Sequence, residues 1–240
     1  MKVQGGKAVY GASVGILMLQ ARFPRIPGDM GHAGTWPFPV LYKVVRDASP
    51  HRVVRDRAAG LLPAFLDAGR ELVADGADGI TTNCGFLSLF QQELAAAVGV
   101  TVAASSLMQV ALVNATLPPG RRAGVLTISA STLTPDHLVR AGVPEGTPIG
   151  TTEGGREFTR AILGDEPELD IAAARADNID AALALTAAHP EIGALVLECT
   201  NMTPYAADIR AATGLPVLTM DSFVAWFRSG LSPRRYPGPR

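Results

Sequence analysis

The sequence predicts an α/β fold of parallel strands and helices, built from two related halves. The chain has 240 residues, of which 48% are hydrophobic and 18% charged, a composition typical of globular proteins. Short apolar runs bounded by glycine, proline or aspartate alternate with longer amphipathic stretches, which is the pattern of βαβ units. In addition, the segments 79–106 and 194–221 align with each other without a gap.

The alignment of these two segments is anchored by cysteine. Cys84 and Cys199 are the only two cysteines, and they lie 115 positions apart. The same shift superposes Gly99 on Gly214. Each half of the duplication therefore carries one thiol at the same place.

The expected elements follow the alternation along the chain. Helical patterns cover 51–74 and 170–189, and Gly76, Gly99 and Gly214 follow helical runs as glycines at helix ends do. Strands are expected at 13–19, 79–82, 101–104, 122–128, 149–151, 194–197 and 216–218.

One stretch, 21–39, interrupts the pattern. It is too rich in proline and glycine to form a helix or a central strand. It leaves the carboxyl end of the first strand, where open parallel sheets bind ligands, so we expect a lid or a binding loop. The alternative is a loop that only packs over the sheet. Within it, Arg22 and Arg25 are candidates for binding a substrate carboxylate or for solvated surface charges, and His32 is a candidate proton donor or a bystander.

Bulk charge and cysteine content limit the partners and the compartment. The formal net charge of −1 gives no field that would attract nucleic acid or an anionic membrane, so we expect a small-molecule substrate and a possible homo-oligomer. Two cysteines are too few for a disulfide scaffold, which favours the cytoplasm. The apolar run 8–19 resembles a weak signal peptide, but its glycines and serine favour the first buried strand.

The setting of the two cysteines predicts reactive thiols. Each follows a buried strand directly and precedes a helix, where unpaired amides and the helix dipole stabilise a thiolate. We therefore expect pKa values below the ordinary ~8.5 of a free thiol. Hydroxyl, amide and small residues flank the thiols and are the predicted substrate-binding set: Thr82, Asn83, Gly85, Thr200 and Asn201.

Two thiols facing one ligand from opposite sides suit proton transfer at a carbon atom, because one thiolate removes a proton while the other thiol delivers one. No cofactor and no metal is expected, since lysines are scarce and the histidines lack a paired ligand spacing. Glu198 would raise the pKa of the adjacent Cys199 or hold an amino group. The alternatives left open are core packing of both cysteines, a redox pair, and a binding protein without catalysis.

With these motifs the chain resembles the aspartate/glutamate/hydantoin racemase superfamily over nearly its whole length. Glu198-Cys199-Thr200-Asn201 resembles the family's Gly-Cys-Thr followed by His or Glu, while Asn83-Cys84-Gly85-Phe86 stands where the family has Cys-Asn-Thr. The resemblance implies cofactor-independent catalysis by Cys84 and Cys199. It also implies that Thr200 contacts a substrate carboxylate and that Asn83 replaces the missing amide beside the first thiol.

The resemblance further implies two pseudo-symmetric lobes, each a mostly parallel sheet flanked by helices, with the active site in the cleft between them. We expect the first lobe to comprise 1–104 with 217–240 and the second 105–216. Ser13, on the first strand, and Arg22 complete the predicted substrate-binding residues. The expected activity is racemisation of an acidic amino acid. Hydantoin racemisation and maleate-type isomerisation are the alternatives within the superfamily.

Overall fold

Two four-stranded parallel sheets form the framework of the protein. The computed structural model describes residues 2–237, and the ends of the predicted first lobe, Met1 and 238–240, lie outside this range. The strands are β1 (Val14–Leu19), β2 (Val40–Val45), β3 (Gly79–Thr82), β4 (Thr101–Ala103), β5 (Arg122–Thr127), β6 (Ile149–Thr151), β7 (Ile192–Leu197) and β8 (Val217–Leu218).

The two sheets have the same strand order, so the expected α/β architecture with two similar lobes is confirmed. The first sheet is ordered β2-β1-β3-β4 and the second β6-β5-β7-β8, with every neighbouring pair parallel. β1 is buried along its whole length and β5 over all but its first residue. Both central strands thus lack a polar face, as strands covered by helices on both sides do.

Helices connect the strands and cover the sheets. The α-helices are α1 (Pro50–Val54), α2 (Leu62–Asp75), α3 (Gln91–Val98), α4 (Gln109–Thr116), α5 (Pro135–Arg140), α6 (Phe158–Leu163), α7 (Ile171–Ala188), α8 (Ala206–Thr213) and α9 (Met220–Leu231). Short 3-10 helices span Ala33–Thr35, Gly85–Phe90, Ser106–Met108 and Thr200–Tyr205. Over residues 2–237, no helix combines the length and the apolar character needed to cross a bilayer.

The duplication seen in the sequence is repeated in the backbone. A 3-10 helix, Gly85–Phe90 or Thr200–Tyr205, follows each cysteine and leads into an eight-residue α-helix, α3 or α8. Both helices end on a glycine at φ 70°, Gly99 and Gly214, a left-handed conformation that glycine adopts without a Cβ clash. The two thiol turns therefore lead into the same order of elements, although φ is −150° at Cys84 and −76° at Cys199.

The structure corrects two expectations about the first half. β2 was not predicted, and it lies at the edge of its sheet, where only its last residue is buried. The predicted helix over 51–74 is divided into α1 and α2. Arg57, Ala58 and Gly60 adopt positive φ between them, which no α-helix accommodates, and Pro63 lies in the first turn of the second helix.

The C-terminal segment returns from the second sheet to the first. We expected the first lobe to resume at residue 217. β8 instead pairs with β7, so the second sheet extends past that boundary, to the end of β8. α9 then packs on the first sheet. A Cβ at Gly79 of β3 would collide with Phe227 and Leu231, so the absence of a side chain at position 79 lets α9 approach the sheet closely.

Candidate active site

A narrow cavity lies between the two lobes at the carboxyl ends of the strands. Its volume is about 20 Å³, room for about one water molecule, so it must widen to admit a substrate. Parallel sheets bind ligands at this edge because the loops that follow the strands converge there. The cavity is lined by Leu19, Phe23, Pro50, Val54, Asn83, Cys84, Phe86, Ile128, Ile162, Leu163, Glu198, Cys199 and Asn201.

The two lobes contribute equivalent elements to this cavity. Leu19 and Ile128 come from the ends of β1 and β5, and the short helices α1 and α6, which contact each other, add apolar side chains. The turns after β3 and β7 add the two thiols. Apart from the thiols, the polar side chains lining the cavity are Asn83, Glu198 and Asn201. The cavity is therefore a largely apolar chamber with a few ionisable groups.

Cys84 occupies the turn between β3 and its 3-10 helix. Its backbone is extended, with φ −150° and ψ 120°, and it immediately precedes the first residue of that helix. The hydroxyl of Thr82 accepts a hydrogen bond from the Cys84 amide at 3.3 Å and donates to the carbonyl of Ala104 at 2.7 Å. Thr82 thus fixes the turn that carries the thiol.

Cys199 occupies the equivalent turn after β7 and is buried. Its thiol donates to Oδ1 of Asn201 across 3.6 Å, a contact that fits a neutral S–H group. The hydroxyl of Thr200 donates to the carbonyl of Asn83 at 2.6 Å, which joins the two thiol turns directly. Both cysteines are free, so the structure contains no disulfide between them.

The expected lowering of the thiol pKa values is wrong. Burial raises the pKa of Cys84 above its ordinary value, and the nearby carboxylate of Glu198 raises it further. Burial also raises the pKa of Cys199, with further contributions from Glu198 and Cys84. The amides of Phe86 and Leu87 oppose the rise at Cys84 as the helix argument predicted, but desolvation of the charged form is the larger effect.

Glu198 is fully buried between the two turns. Its Oε2 accepts a hydrogen bond from the hydroxyl of Thr127 at 2.7 Å, whereas Oε1 has no hydrogen-bond partner among residues 2–237. Oε1 lies against the turn of Cys84, because a Cβ at Gly85 would collide with it. Burial raises the pKa of Glu198 to about 7, although the hydrogen bond from Thr127 lowers it. The site thus contains a carboxyl group that titrates near neutrality.

The proline-rich loop 21–39 reaches the cavity, and its role as a binding loop stays a prediction. Phe23 lines the cavity, and the guanidinium of Arg25 lies 4.8 Å from the centroid of its ring. Arg25 donates to Oδ1 of the buried Asp29 at 2.8 Å, and Asp29 accepts a hydrogen bond from Asn201 of the second lobe. Nη2 of Arg25 is buried without a hydrogen-bond partner in the described part of the chain.

The predicted substrate-binding residues fall into two groups. Asn83 and Asn201 line the cavity together with both thiols. Thr82, Gly85 and Thr200 do not: the two hydroxyls are hydrogen-bonded to main-chain carbonyls, and Gly85 packs against Glu198. These three residues shape the thiol turns rather than face the empty space.

Two other predicted substrate-binding residues do not line the chamber. Ser13 precedes the amino end of β1, where its carbonyl accepts hydrogen bonds from Asp78 and Gly79, whereas Leu19 at the opposite end lines the cavity. The Arg22 side chain is 73% exposed and pairs with Asp165. His32 also lies away from the cavity, where its ring accepts the amide of Gly34.

Sequence reasoning missed most of the apolar lining and also Asp29. The lining residues come from α1, α6 and the ends of β1 and β5, so only the three-dimensional packing brings them together. The presence of Phe23 and Asp29 within the proline-rich loop was the available signal. Within residues 2–237 no three His, Cys, Asp or Glu side chains are grouped as metal ligands would be.

Several curated proteins that are similar in sequence are named lyases. The chain is 28% identical over 227 residues to a dimethylsulfoniopropionate lyase from Durusdinium sp. clade D, a match covering 90% of this chain and 75% of that protein. It is 31% identical over 220 residues to dimethylsulfoniopropionate lyase 6 from Emiliania huxleyi (strain CCMP1516), covering 85% and 56%. The chain thus spans only about half the length of that second relative. No protein-family model matches the sequence.

Solved structures with the same fold are racemases and decarboxylases. Allantoin racemase from Klebsiella pneumoniae matches with a TM-score of 0.63 at 19% identity, covering 91% of this chain and 87% of that one. A glutamate racemase from Bacillus anthracis matches at 0.60 and 15%, covering 92% and 81%. Unliganded arylmalonate decarboxylase matches at 0.55 and 16%, covering 95% and 96%. The chain therefore has the fold of the aspartate/glutamate/hydantoin racemase superfamily, as its sequence motifs predicted.

Proposed function

We propose that the protein is a lyase that removes a proton next to a carboxylate and expels a substituent from the neighbouring carbon. Dimethylsulfoniopropionate, named in the curated relatives, is the proposed substrate. The observation that carries the proposal is the chamber itself, which combines two thiols and one buried carboxyl group with apolar walls.

The walls suit a sulfonium group better than an amino group. A dimethylsulfonium ion has no N–H donors, so its methyl groups fit against apolar side chains without leaving a hydrogen bond unmade. The rings of Phe23 and Phe86 are part of this apolar lining. An ammonium group has three N–H donors, and in this chamber few acceptors are present to compensate its desolvation.

Arg25 is the proposed partner of the substrate carboxylate. One side of its guanidinium is held by Asp29, and the buried Nη2 has hydrogen-bonding capacity left among the described residues. The guanidinium stacks on Phe23, which lines the chamber, so a carboxylate at the chamber's edge lies within its reach. Arg25 takes the role that the sequence assigned to Arg22.

Cys84 is the proposed base. The pKa of its thiol is raised by burial and by Glu198, but two main-chain amides and the charge of Arg25 oppose that rise. The amide of Asn201 opposes the rise in the pKa of Cys199, while Glu198, Cys84 and Asp29 reinforce it. We assign the base to Cys84 because it is the less buried thiol and Arg25 acts on it, whereas Cys199 is buried and donates to Asn201 as a neutral thiol.

The elimination needs only one base. The Cys84 thiolate takes a proton from the carbon next to the carboxylate, and the C–H electron pair forms the carbon–carbon double bond. The C–S bond breaks with its electron pair moving to sulfur. The products are neutral dimethyl sulfide and acrylate, and the substrate proton remains on Cys84.

The test is direct incubation of the protein with dimethylsulfoniopropionate. We expect dimethyl sulfide in the headspace and acrylate by NMR, in equal amounts, in the absence of added cofactor. The same preparation is given L- and D-aspartate and L- and D-glutamate in deuterated water. Hydrogen exchange and inversion of an amino acid without any elimination would contradict the proposal.

The amino-acid racemase expected from the sequence is the second candidate. Thiols from two duplicated turns line one cavity, which favours proton removal on one face and delivery on the other. In that case either cysteine variant should abolish inversion. Racemisation stays a prediction. The small number of polar side chains in the chamber favours the lyase.

A further inference from the structure

A base that works repeatedly inside this chamber needs a partner for its proton. The thiol of Cys84 has a raised pKa because its surroundings disfavour the charged form. Direct loss of the proton to water would leave a second negative charge beside the carboxylate of Glu198. Transfer of that proton to a neighbouring anion leaves the total charge of the chamber unchanged and avoids this cost.

Glu198 has the position for this transfer, and one of its carboxyl oxygens is a hydrogen-bond acceptor without a partner among residues 2–237. It is fully buried, it lines the chamber with both thiols, and its carboxylate is the charge that most raises the pKa of each of them. Oε2 is held by Thr127, which fixes the carboxyl group. Oε1 is buried, has no hydrogen-bond partner within residues 2–237, and abuts Gly85, the residue that follows Cys84.

We propose that Glu198 accepts the Cys84 proton and so generates the thiolate that acts as base, an inference that rests on the proposed lyase function. Its unpartnered Oε1, directed at the Cys84 turn, is the acceptor atom. In this role the residue acts on the substrate through the thiol.

The protons balance over one turnover. The Cys84 S–H bond breaks and an O–H bond forms on Glu198. The thiolate then takes the substrate proton and becomes a thiol again as dimethyl sulfide leaves. Glu198 releases the first proton to water, so that each substrate yields dimethyl sulfide, acrylate and one proton.

Several charged groups surround this pair. Arg25 and Asp29 act from the proline-rich loop, Arg25 on Cys84 and Asp29 on Cys199, and the neutral Thr127 holds the carboxyl group from the end of β5. Transfer requires an ionised Glu198, whose pKa lies at about 7. Turnover is therefore expected to rise with pH through neutrality.

The deciding variant is Glu198→Gln, which keeps the shape and the acceptor for Thr127. Removal of the negative charge makes the Cys84 thiol easier to ionise, so its alkylation by iodoacetamide at pH 7.5 should become faster. Turnover should nevertheless fall by roughly 10²-fold, since a proton acceptor contributes about 10² to 10⁴, and the rise through pH 7 should disappear. A residue acting only by charge repulsion would instead give faster turnover with faster alkylation.

A second variant, Thr127→Val, tests the carboxyl group of Glu198 without replacing it. Loss of the hydrogen bond to Oε2 raises the pKa of Glu198, so the rise of turnover should move to higher pH. Thr186→Val, which loses only bonds within α7, is the control and should leave the profile unchanged. Circular dichroism confirms that each variant is folded.

The outcomes separate the two proposals. A wild-type protein that releases no dimethyl sulfide contradicts the lyase, while the alkylation measurement, which needs no substrate, still reports whether Glu198 is coupled to Cys84. An active wild type whose Glu198→Gln variant keeps its turnover and its pH profile overturns the role of Glu198 and leaves the lyase intact. Unchanged alkylation of Cys84 in that variant also overturns it.

Discussion

The two thiol turns are followed by the same order of helices and differ in the residue that precedes each cysteine. Asn83 stands before Cys84 and Glu198 before Cys199, at equivalent positions of the repeat. Both side chains are held by the end of the central strand of their own lobe, Asn83 by the amide of Leu19 at 2.8 Å and Glu198 by Thr127. One position is permanently neutral, and the other carries a carboxyl group that titrates near neutrality.

This difference shows that the duplication has left the two thiols with unequal charged surroundings. A racemase that runs equally well in both directions benefits from two similar bases. An elimination needs one base and a route for its proton, which an unequal pair supplies. The asymmetry between the turns therefore agrees better with the proposed lyase.

The largest expected effect comes from exchanging the cysteines one at a time. Cys84→Ser should lower kcat/KM for dimethylsulfoniopropionate by roughly 10³-fold, because the base is lost. Cys199→Ala, which removes the donor to Asn201, should lower it by about tenfold, the value of one hydrogen bond. Dimethyl sulfide release measures both. Equal losses in the two variants would remove the distinction between the turns.

The two arginines of the proline-rich loop offer the next comparison. Arg25→Met should raise KM by roughly 10- to 100-fold with a smaller change in kcat, since a charged hydrogen bond to the carboxylate is lost. Arg22→Met is the matched control and should change KM little, because its exposed side chain pairs only with Asp165. The opposite ranking would restore the assignment made from the sequence.

A smaller effect is expected from making the turns more alike. Asn83→Asp places a carboxylate before Cys84, keeps an acceptor for the Leu19 amide, and raises the pKa of the thiol by like-charge repulsion. Turnover at pH 7 should fall several-fold, and alkylation of Cys84 should slow. Faster alkylation in this variant would show that the turn is not controlled by the charge of the preceding residue.

The packing behind the turns also differs and affects stability rather than turnover. The ring of Phe86, after Cys84, packs edge-on against the buried His137 at 5.0 Å, whereas Tyr205, behind Cys199, packs against Phe158. Burial, with the charge of Arg57, lowers the pKa of His137 to about 4 from 6.5. As pH falls through this range, the unfolded chain gains a proton that the folded protein does not bind, so stability is lost.

Urea unfolding at pH 6.5 and pH 4.5 measures this effect. The wild type should lose about 2 kcal/mol from this group after allowance for solvent screening. His137→Gln, which cannot titrate, should lose correspondingly less over the same interval. An identical loss in both proteins would mean that His137 is not the responsible group.

Local signals in the sequence were sufficient for the repeat, the strand ends and the thiol turns. Gly99 and Gly214 mark helix ends through their own backbone preference, and each cysteine follows its strand directly. β2 was missed because an edge strand with an exposed Tyr42 and Val44 has no continuous apolar run. The direction of the thiol pKa shifts was also missed, since desolvation depends on residues far away in the chain, which no local motif reports.

The proline-rich loop has a mechanical consequence. It is continuous with β1 of the first lobe, yet Arg22 and Asp29 are hydrogen-bonded to Asp165 and Asn201 of the second. A rigid-body hinge motion that parts the lobes has to break these bridges or pull the loop off its own strand. Access to the thiols and the position of the Arg25 guanidinium, whose charge acts on Cys84, are thereby coupled in a single movement.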